Sequence, residues 1–489
     1  MTAGPRRPSC FWLGATAILL IFTALLAVRL GIWHGQTAGT APPAAPLQAE
    51  AQDAWMAIYQ DADQIGYSHR RFQPTAEGFR LADDTFMRVN AMGMIQEVRL
   101  RTVARLRQDM SLAAFDFRLR SGRFAFEAQG TVEGSTLRVT VDRRKSEIAL
   151  DGPIHLASGI LNGLRFDTPE TRAPRTFQVF DPTTLSRRPF TLTPLAEETI
   201  VVMGQPTATH KLKIEFAGAT GLAWIDHHGR VVREKGLMGI ELHRSTREET
   251  LAGVSAHPGT DLTDLASVPV DQTIDAPEAL DRLQLRVAGL EVTAEGKTPF
   301  PHIDGRQTFA DGLLTVTREA VPDPVVFAIG DQARYLEPSA LIQSEDPRIR
   351  AAAAGVVADT DHPAARARQL VAWVYASLEK RPVLSVPSAV EVLERRMGDC
   401  NEHAVLLAAL CRAAGIPARI EAGLVYQRGA FYYHAWNSVW LGRWVTADAL
   451  MNQLPADVTH LSLAGGELAE AVDLISVIGR IRLAVVDRR

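Results

Sequence analysis

Three residues of this chain could together break or exchange an acyl bond: Cys400, His434 and Asp448. Cys400 follows Gly398-Asp399 and precedes Asn401-Glu402-His403, after which Ala404, Leu406, Leu407, Leu410 and Cys411 recur at helical spacing. Asp399-x-x-Glu402 is a capping pattern, Gly415 is a C-terminal stop, and Pro417 forbids continuation. Cys400 is therefore expected at the first position of a helix. There the partial positive charge of the helix end favours an anion, which predicts a lowered thiol pKa and a nucleophilic thiolate. Backbone N–H groups at the same end are available to hold a developing oxyanion.

The other two residues follow on strands. The sequence predicts strands at Ala418–Gln427, Phe431–Trp440 and Trp444–Ala449, with turns at Arg428-Gly429 and Leu441-Gly442. If the second hairpin closes at Gly442, Asp448 lies opposite or diagonal to His434. A carboxylate beside an imidazole fixes its tautomer and stabilises its charged form, so the trio could serve as nucleophile, base and orienter. Cys400 could instead be a buried structural thiol, and His434, set between aromatic residues, a core histidine. Trp436 shares the His434 face, where it could contact substrate or simply pack around the site. His403 lies one turn beyond Cys400 in a helix-surface or capping place. Cys411, between Leu410 and Ala413-Ala414, reads as core.

These segments, GDCNEHAVLLAALCRAAGIPARIEAGLVY and then YHAWNSVWLGRWVTADAL, resemble the transglutaminase-like superfamily. That family has G-x-C opening a helix that ends R-A-x-G-I-P-A-R, then H-A-W on one strand and W-x-x-x-D-P on another. The resemblance spans about Leu336 to Leu463 and implies a papain-like α+β fold. It also implies a Cys-His-Asp triad at Cys400, His434 and Asp448. Ala449 departs from the family's Pro but leaves the carboxylate in place.

The elements that must position this site occupy only part of the 489 residues, enough chain for several domains. From Ala54 to about Thr250 the pattern is β. In Thr207–Phe216, Leu212, Ile214 and Phe216 alternate with Lys211, Lys213 and Glu215. Many short strands without intervening helices predict a large antiparallel sheet, sandwich or open barrel. The expected organisation is a membrane anchor at 1–34, a linker at 35–50 and a β-rich domain at 51–250. A second linker at 251–277, a small β module at 278–335 and the cysteine-enzyme domain at 336–489 complete it. The anchor rests on Cys10–Val28, 19 residues without a charge, nearly long enough to span a bilayer core. Arg6 and Arg7 before it predict a cytoplasmic N-terminus and a body exported to the periplasm or cell exterior. A signal peptide cleaved near Ala38–Ala41 is the alternative.

Composition excludes some classes of function. A net charge of -4, with 22% charged residues, gives no electrostatic basis for binding nucleic acid. The three cysteines form no C-x-x-C pair and no H-E-x-x-H occurs, so neither metal nor cofactor is expected. His227-His228 falls in a turn between two strands. Cys400 and Cys411, on one helix, lie about 16 Å apart along its axis, too far for a disulfide. The expected substrate is a peptide or protein amide, resolved by water (peptidase or amidase) or by an amine (transglutaminase). A non-catalytic scaffold of the same fold is the rival reading. In either case the β-rich domain could bind a protein or lipid partner.

Overall fold

The computed structural model describes residues 51–489 apart from short turns and the segments 163–172, 256–258, 262–266, 290–299, 323–329 and 467–480. The expected anchor and first linker lie outside these residues. Among the described residues no helix is long and apolar enough to cross a membrane. The described residues divide into two compact units, one from 51–261 with 385–386, the other from 267–383 and 388–489.

The first unit is built on one antiparallel sheet of fourteen strands. Strands β1 (Gln52–Gln60) to β8 (Arg144–Ala149) form a meander, and so do β9 (Arg175–Asp181) to β14 (Ile240–Ser245); β1 pairs with β14 to join them. Alternation places the core. In β11 (Gln205–Phe216), Leu212, Ile214 and Phe216 are buried while Lys211, Lys213 and Glu215 are half-exposed, as their period of two requires. The sheet curls on itself: Phe115 of β5 (Leu112–Ser121) meets Phe180 of β9 with ring centroids 5.2 Å apart, although nine strands separate them along the ladder. The enclosed face is not uniformly apolar. Arg70 from β2 (Asp63–Thr75) reaches Asp83 on β3 (Gly78–Ala91) at 3.3 Å and Glu234 on β13 (Val231–Lys235) at 3.7 Å, all three buried. Buried charges are tolerated because they pair. His227 and His228 sit in the β12–β13 turn (β12 is Ala219–Asp226), where the Asp226 carboxylate accepts from the His228 and Arg230 amides.

In the second unit the helices α3 (Pro347–Val356), α4 (Pro363–Ser377) and α5 (Ala389–Arg395) surround α6 (Cys400–Ala413). The shorter helices α1 (Ala157–Asn162) and α2 (Arg247–Ala252) belong to the first unit. Every residue of α6 from Cys400 to Arg412 is buried. The helix lies on a sheet ordered β15 (Val268–Pro269), β22 (Ala430–Trp440), β21 (Ala418–Gln427), β24 (Leu461–Gly466), with β23 (Trp444–Ala447) pairing further along β22. The strands expected as a separate module at 278–335, β16 (Arg282–Ala288), β17 (Gln307–Ala310) and β18 (Leu313–Thr317), form a second sheet whose fourth strand is the chain's last, β25 (Arg482–Arg488). Distance along the sequence hid this pairing. The Gln307 side chain clips that sheet to β24, donating to the Ser462 carbonyl at 2.8 Å and accepting from its N–H at 2.8 Å.

Candidate active site

Local sequence fixes the start of α6. The Asp399 carboxylate accepts from the Asn401 amide at 3.0 Å, and the Glu402 carboxylate turns back to accept from the Asp399 amide at 2.9 Å. That return brings Glu402 so close that a Cβ at Gly398 would lie 2.2 Å from its Cβ, so only glycine fits there. Cys400 occupies the first helical position, as the capping pattern predicts. The cap consumes the Asn401 N–H, which leaves this helix end fewer donors for an oxyanion than the sequence suggests. A second capping pattern, Ser388-x-x-Glu391, does not form. Ser388 is the N-cap of α5, but its hydroxyl accepts from Gln343 at 2.9 Å instead of from its own helix.

The β22–β23 register pairs Asn437 with Ala447 and Trp440 with Trp444. Asp448, one residue beyond, therefore lies diagonal to His434. The His434 Nε2 to Asp448 Oδ2 distance is 2.5 Å, with both side chains buried. An ionised carboxylate only accepts, so Nε2 carries the hydrogen and Nδ1 is left as the basic nitrogen. Cys400 joins them at an interruption in the sheet. On that edge of β22, β15 pairs as far as Phe431 and β23 begins at Asn437. In the gap the Ala435 N–H donates to Cys400 Sγ at 3.2 Å. All three predicted site residues thus come together, each buried.

The electrostatics of the thiol differ from the sequence expectation. Burial pushes the Cys400 pKa well above its ordinary value, and the neighbouring Asp399, Glu402 and Asp448 push it further. The helix end would favour a thiolate, but its own capping carboxylates and the loss of water outweigh it. Asp399 is itself pushed up, to about 6, by burial. Trp436 is buried with its ring stacked near His434 (centroids 6.0 Å, 22° between planes) and edge-on to His460 (5.2 Å, 82°), so in this structure it packs the site. His403 is buried rather than on a helix surface. Its Nδ1 lies 2.6 Å from the Asp399 carbonyl, and burial lowers its pKa to about 4.

Sequence reasoning missed His460. Its Nε2 lies 3.0 Å from Asp448 Oδ2 and its Nδ1 3.2 Å from Asp457 Oδ1. Asp457-Val458-Thr459 is legible as an Asx turn, which the Thr459 amide and hydroxyl close on the Asp457 carboxylate. Nothing in the spacing ties that turn to Asp448. Against burial, which opposes it, contact with the imidazoles of His434 and His460 holds the Asp448 carboxyl far below the usual range. Among the described residues, His434, Asp448 and His460 alone put three possible ligand atoms within 4.8 Å of one another. Ligands of one tetrahedral ion sit roughly 3.3 Å apart, given bonds of about 2.0–2.1 Å. The 2.5 Å contact is closer than that and has the length of a charge-assisted hydrogen bond. The trio is therefore a hydrogen-bonded group and not a cation site.

Residues 350–449 match the model of the transglutaminase-like superfamily. This part of the chain is a transglutaminase-like domain. No curated protein matches the chain. Among solved structures, a candidate cysteine protease from Cytophaga hutchinsonii is 19% identical over 43% of this chain and 84% of its own, with a TM-score of 0.28. A β-barrel-like protein of a domain family of unknown function from Brucella abortus is 11% identical over 41% of this chain and 96% of its own, TM-score 0.33. A candidate protease from Parabacteroides distasonis is 11% identical over 73% and 68%, TM-score 0.21. At these scores the likenesses carry no argument about activity. The superfamily match runs from within α3 to Ala449, and so takes in Cys400, His434 and Asp448 but stops short of His460.

Proposed function

We propose that the transglutaminase-like domain is a cysteine acyl-transfer enzyme acting on amide bonds of peptides or proteins. The observation that carries this reading is the convergence of Cys400 Sγ, the His434 backbone neighbour and the His434–Asp448 pair in one gap of the sheet. The Cys400 sulfur attacks the carbonyl carbon while its proton passes to His434 Nδ1. The amine then leaves with that proton, giving an acyl-Cys400 enzyme. Asp448 holds the ring and offsets the imidazolium charge. Water, always present, resolves the acyl-enzyme with the least demand on the site; an amine nucleophile would make the domain a transglutaminase. The uncharged Cys10–Val28 run supports a membrane-anchored chain with its body outside the cytoplasm, where the curled sheet would meet a protein or lipid partner.

One observation favours a second reading, a scaffold that keeps the fold without the reaction. Cys400 is 0% exposed, and its thiol is pushed towards the neutral form. Incubation with p-nitrophenyl acetate and intact-mass analysis separates the two. The enzyme reading expects an acetyl adduct on Cys400 that is absent from Cys400→Ala and His434→Ala. Equal adducts on wild type and His434→Ala would leave the scaffold as the better account. Adding a primary amine then tells hydrolysis from transfer by the product formed.

A further inference from the structure

We infer that His460 is a positioning residue of the proposed acyl-transfer site: an imidazolium held between Asp448 and Asp457 that pins the Asp448 carboxylate against His434. The inference rests on the proposed function and extends the triad by two residues, giving the order Cys400, His434, Asp448, His460, Asp457.

Geometry carries the argument. His460 Nε2 is 3.0 Å from Asp448 Oδ2 and Nδ1 is 3.2 Å from Asp457 Oδ1, with the ring wholly buried. Ionised carboxylates accept and do not donate, so each ring nitrogen must bring its own hydrogen. A ring with hydrogen on both nitrogens is the cation. The two carboxylates are themselves fixed. Asp448 Oδ1 accepts from the Leu450 amide at 2.7 Å and the Met451 amide at 2.9 Å, and Asp457 Oδ2 accepts from Gln453 at 3.0 Å. The Gln453 backbone also bridges to Asp448.

The other charged groups facing this ring do not replace the two aspartates. The Arg306 guanidinium donates to the Asp457 and His460 carbonyls, with Glu319 as its counter-ion at 3.2 Å. His434 lies across Asp448 with ring centroids 5.5 Å from His460, and Trp436 closes the remaining side. The titration behaviour agrees. Burial opposes protonation, yet Asp457 and Asp448 raise His460 to about 9. The clamp therefore holds the Asp448 carboxylate, and through it the His434 ring, in one place.

The test is the pH profile of Cys400 acylation by p-nitrophenyl acetate in the full chain, comparing wild type with His460→Gln, which removes the charge and keeps a side-chain N–H. Removing a positive charge a few ångströms from the reacting groups should move the acid limb of the profile up by roughly one pH unit in the variant. A merely structural role would lower the rate without moving the limb, and an unmoved limb overturns the inference. Should His460→Gln fail to fold, ¹⁵N spectra of the wild-type histidine rings decide. His460 protonated on both nitrogens at pH 7.5 supports the clamp, and a neutral ring overturns it. Equal acylation of His434→Ala and wild type would sink the underlying enzyme reading instead, a result distinct from an unmoved limb.

Discussion

The Ala435 N–H donates to Cys400 Sγ at 3.2 Å, filling with a thiol the place where a neighbouring strand would have supplied a carbonyl. This contact sets helix against strand, and it holds the sulfur in a buried site under the negative charges of Asp399, Glu402 and Asp448. The thiol is thus neutral at rest, and the proposed reaction requires His434 to take its proton as the sulfur attacks. Iodoacetamide should alkylate Cys400 slowly at pH 7, at least about tenfold slower than an ordinary thiol of pKa near 8.5, and faster as pH rises. Cys411, pushed up to about 12 by burial, should react only after unfolding. Mass spectrometry of timed alkylations checks both. Rapid labelling of Cys400 at pH 6 would instead reveal the thiolate–imidazolium pair that the helix end alone predicts.

Replacing Asp448 should damage both chemistry and stability. As the partner of His434, its loss in Asp448→Asn should lower Cys400 acylation by about three to four powers of ten. Its carboxylate also accepts from His434, His460, Leu450 and Met451. Breaking one partner of a buried ionic network typically costs about 3–5 kcal/mol. The unfolding midpoint of Asp448→Asn should therefore fall well below that of Cys400→Ala, and equal midpoints would contradict this network.

Stability should decline on the alkaline side. His460 has a folded pKa of about 9, above its unfolded value near 6.5. Its contribution is fully present below pH 6.5 and is lost as pH rises through 9. The linkage relation makes that loss about 3 kcal/mol over the window. On the acid side two groups oppose each other: His403, lowered to about 4, favours higher pH, whereas Asp399, raised to about 6, favours lower pH. Denaturant unfolding between pH 6 and 9.5 should show the alkaline loss in wild type and a flatter curve in His460→Gln. Parallel curves would mean that the imidazole is not charged in the folded state.

What was legible in the sequence was what short-range rules encode. The Asp399–Glu402 box, the period of two in β11 and the turn at Gly442 each depend on residues within a few positions, and each fixed its element. From these, Cys400, His434 and Asp448 could be placed on the right elements. Contacts over long separations were not legible. The pairing of β16 with β25, the clip from Gln307 to Ser462, and His460 beside Asp448 bring together residues with no periodic signal linking them. The charge state of Cys400 departs from the local rule for a related reason. The helix-end effect is local, but burial and the acidic ring that overrule it belong to the assembled site.

Gly423 offers a test of how tightly that assembly is packed. It pairs with His434 across β21 and β22 and with Ser462 on β24. A Cβ there would lie 1.9 Å from the Leu461 carbonyl oxygen and 2.9 Å from the Trp436 ring. The backbone oxygen cannot swing aside as a flexible side chain could, so β24 must move, and with it His460, the residue before it. Gly423→Ala should destabilise the domain by about 3 kcal/mol or more, at the upper end for an overpacked core. It should also slow Cys400 acylation, because Trp436 and His460 both brace the His434–Asp448 pair. Thermal unfolding and acylation rates measured on the same preparation check the two effects together. A variant that loses stability while acylating at the wild-type rate would show that the triad holds its geometry without this support.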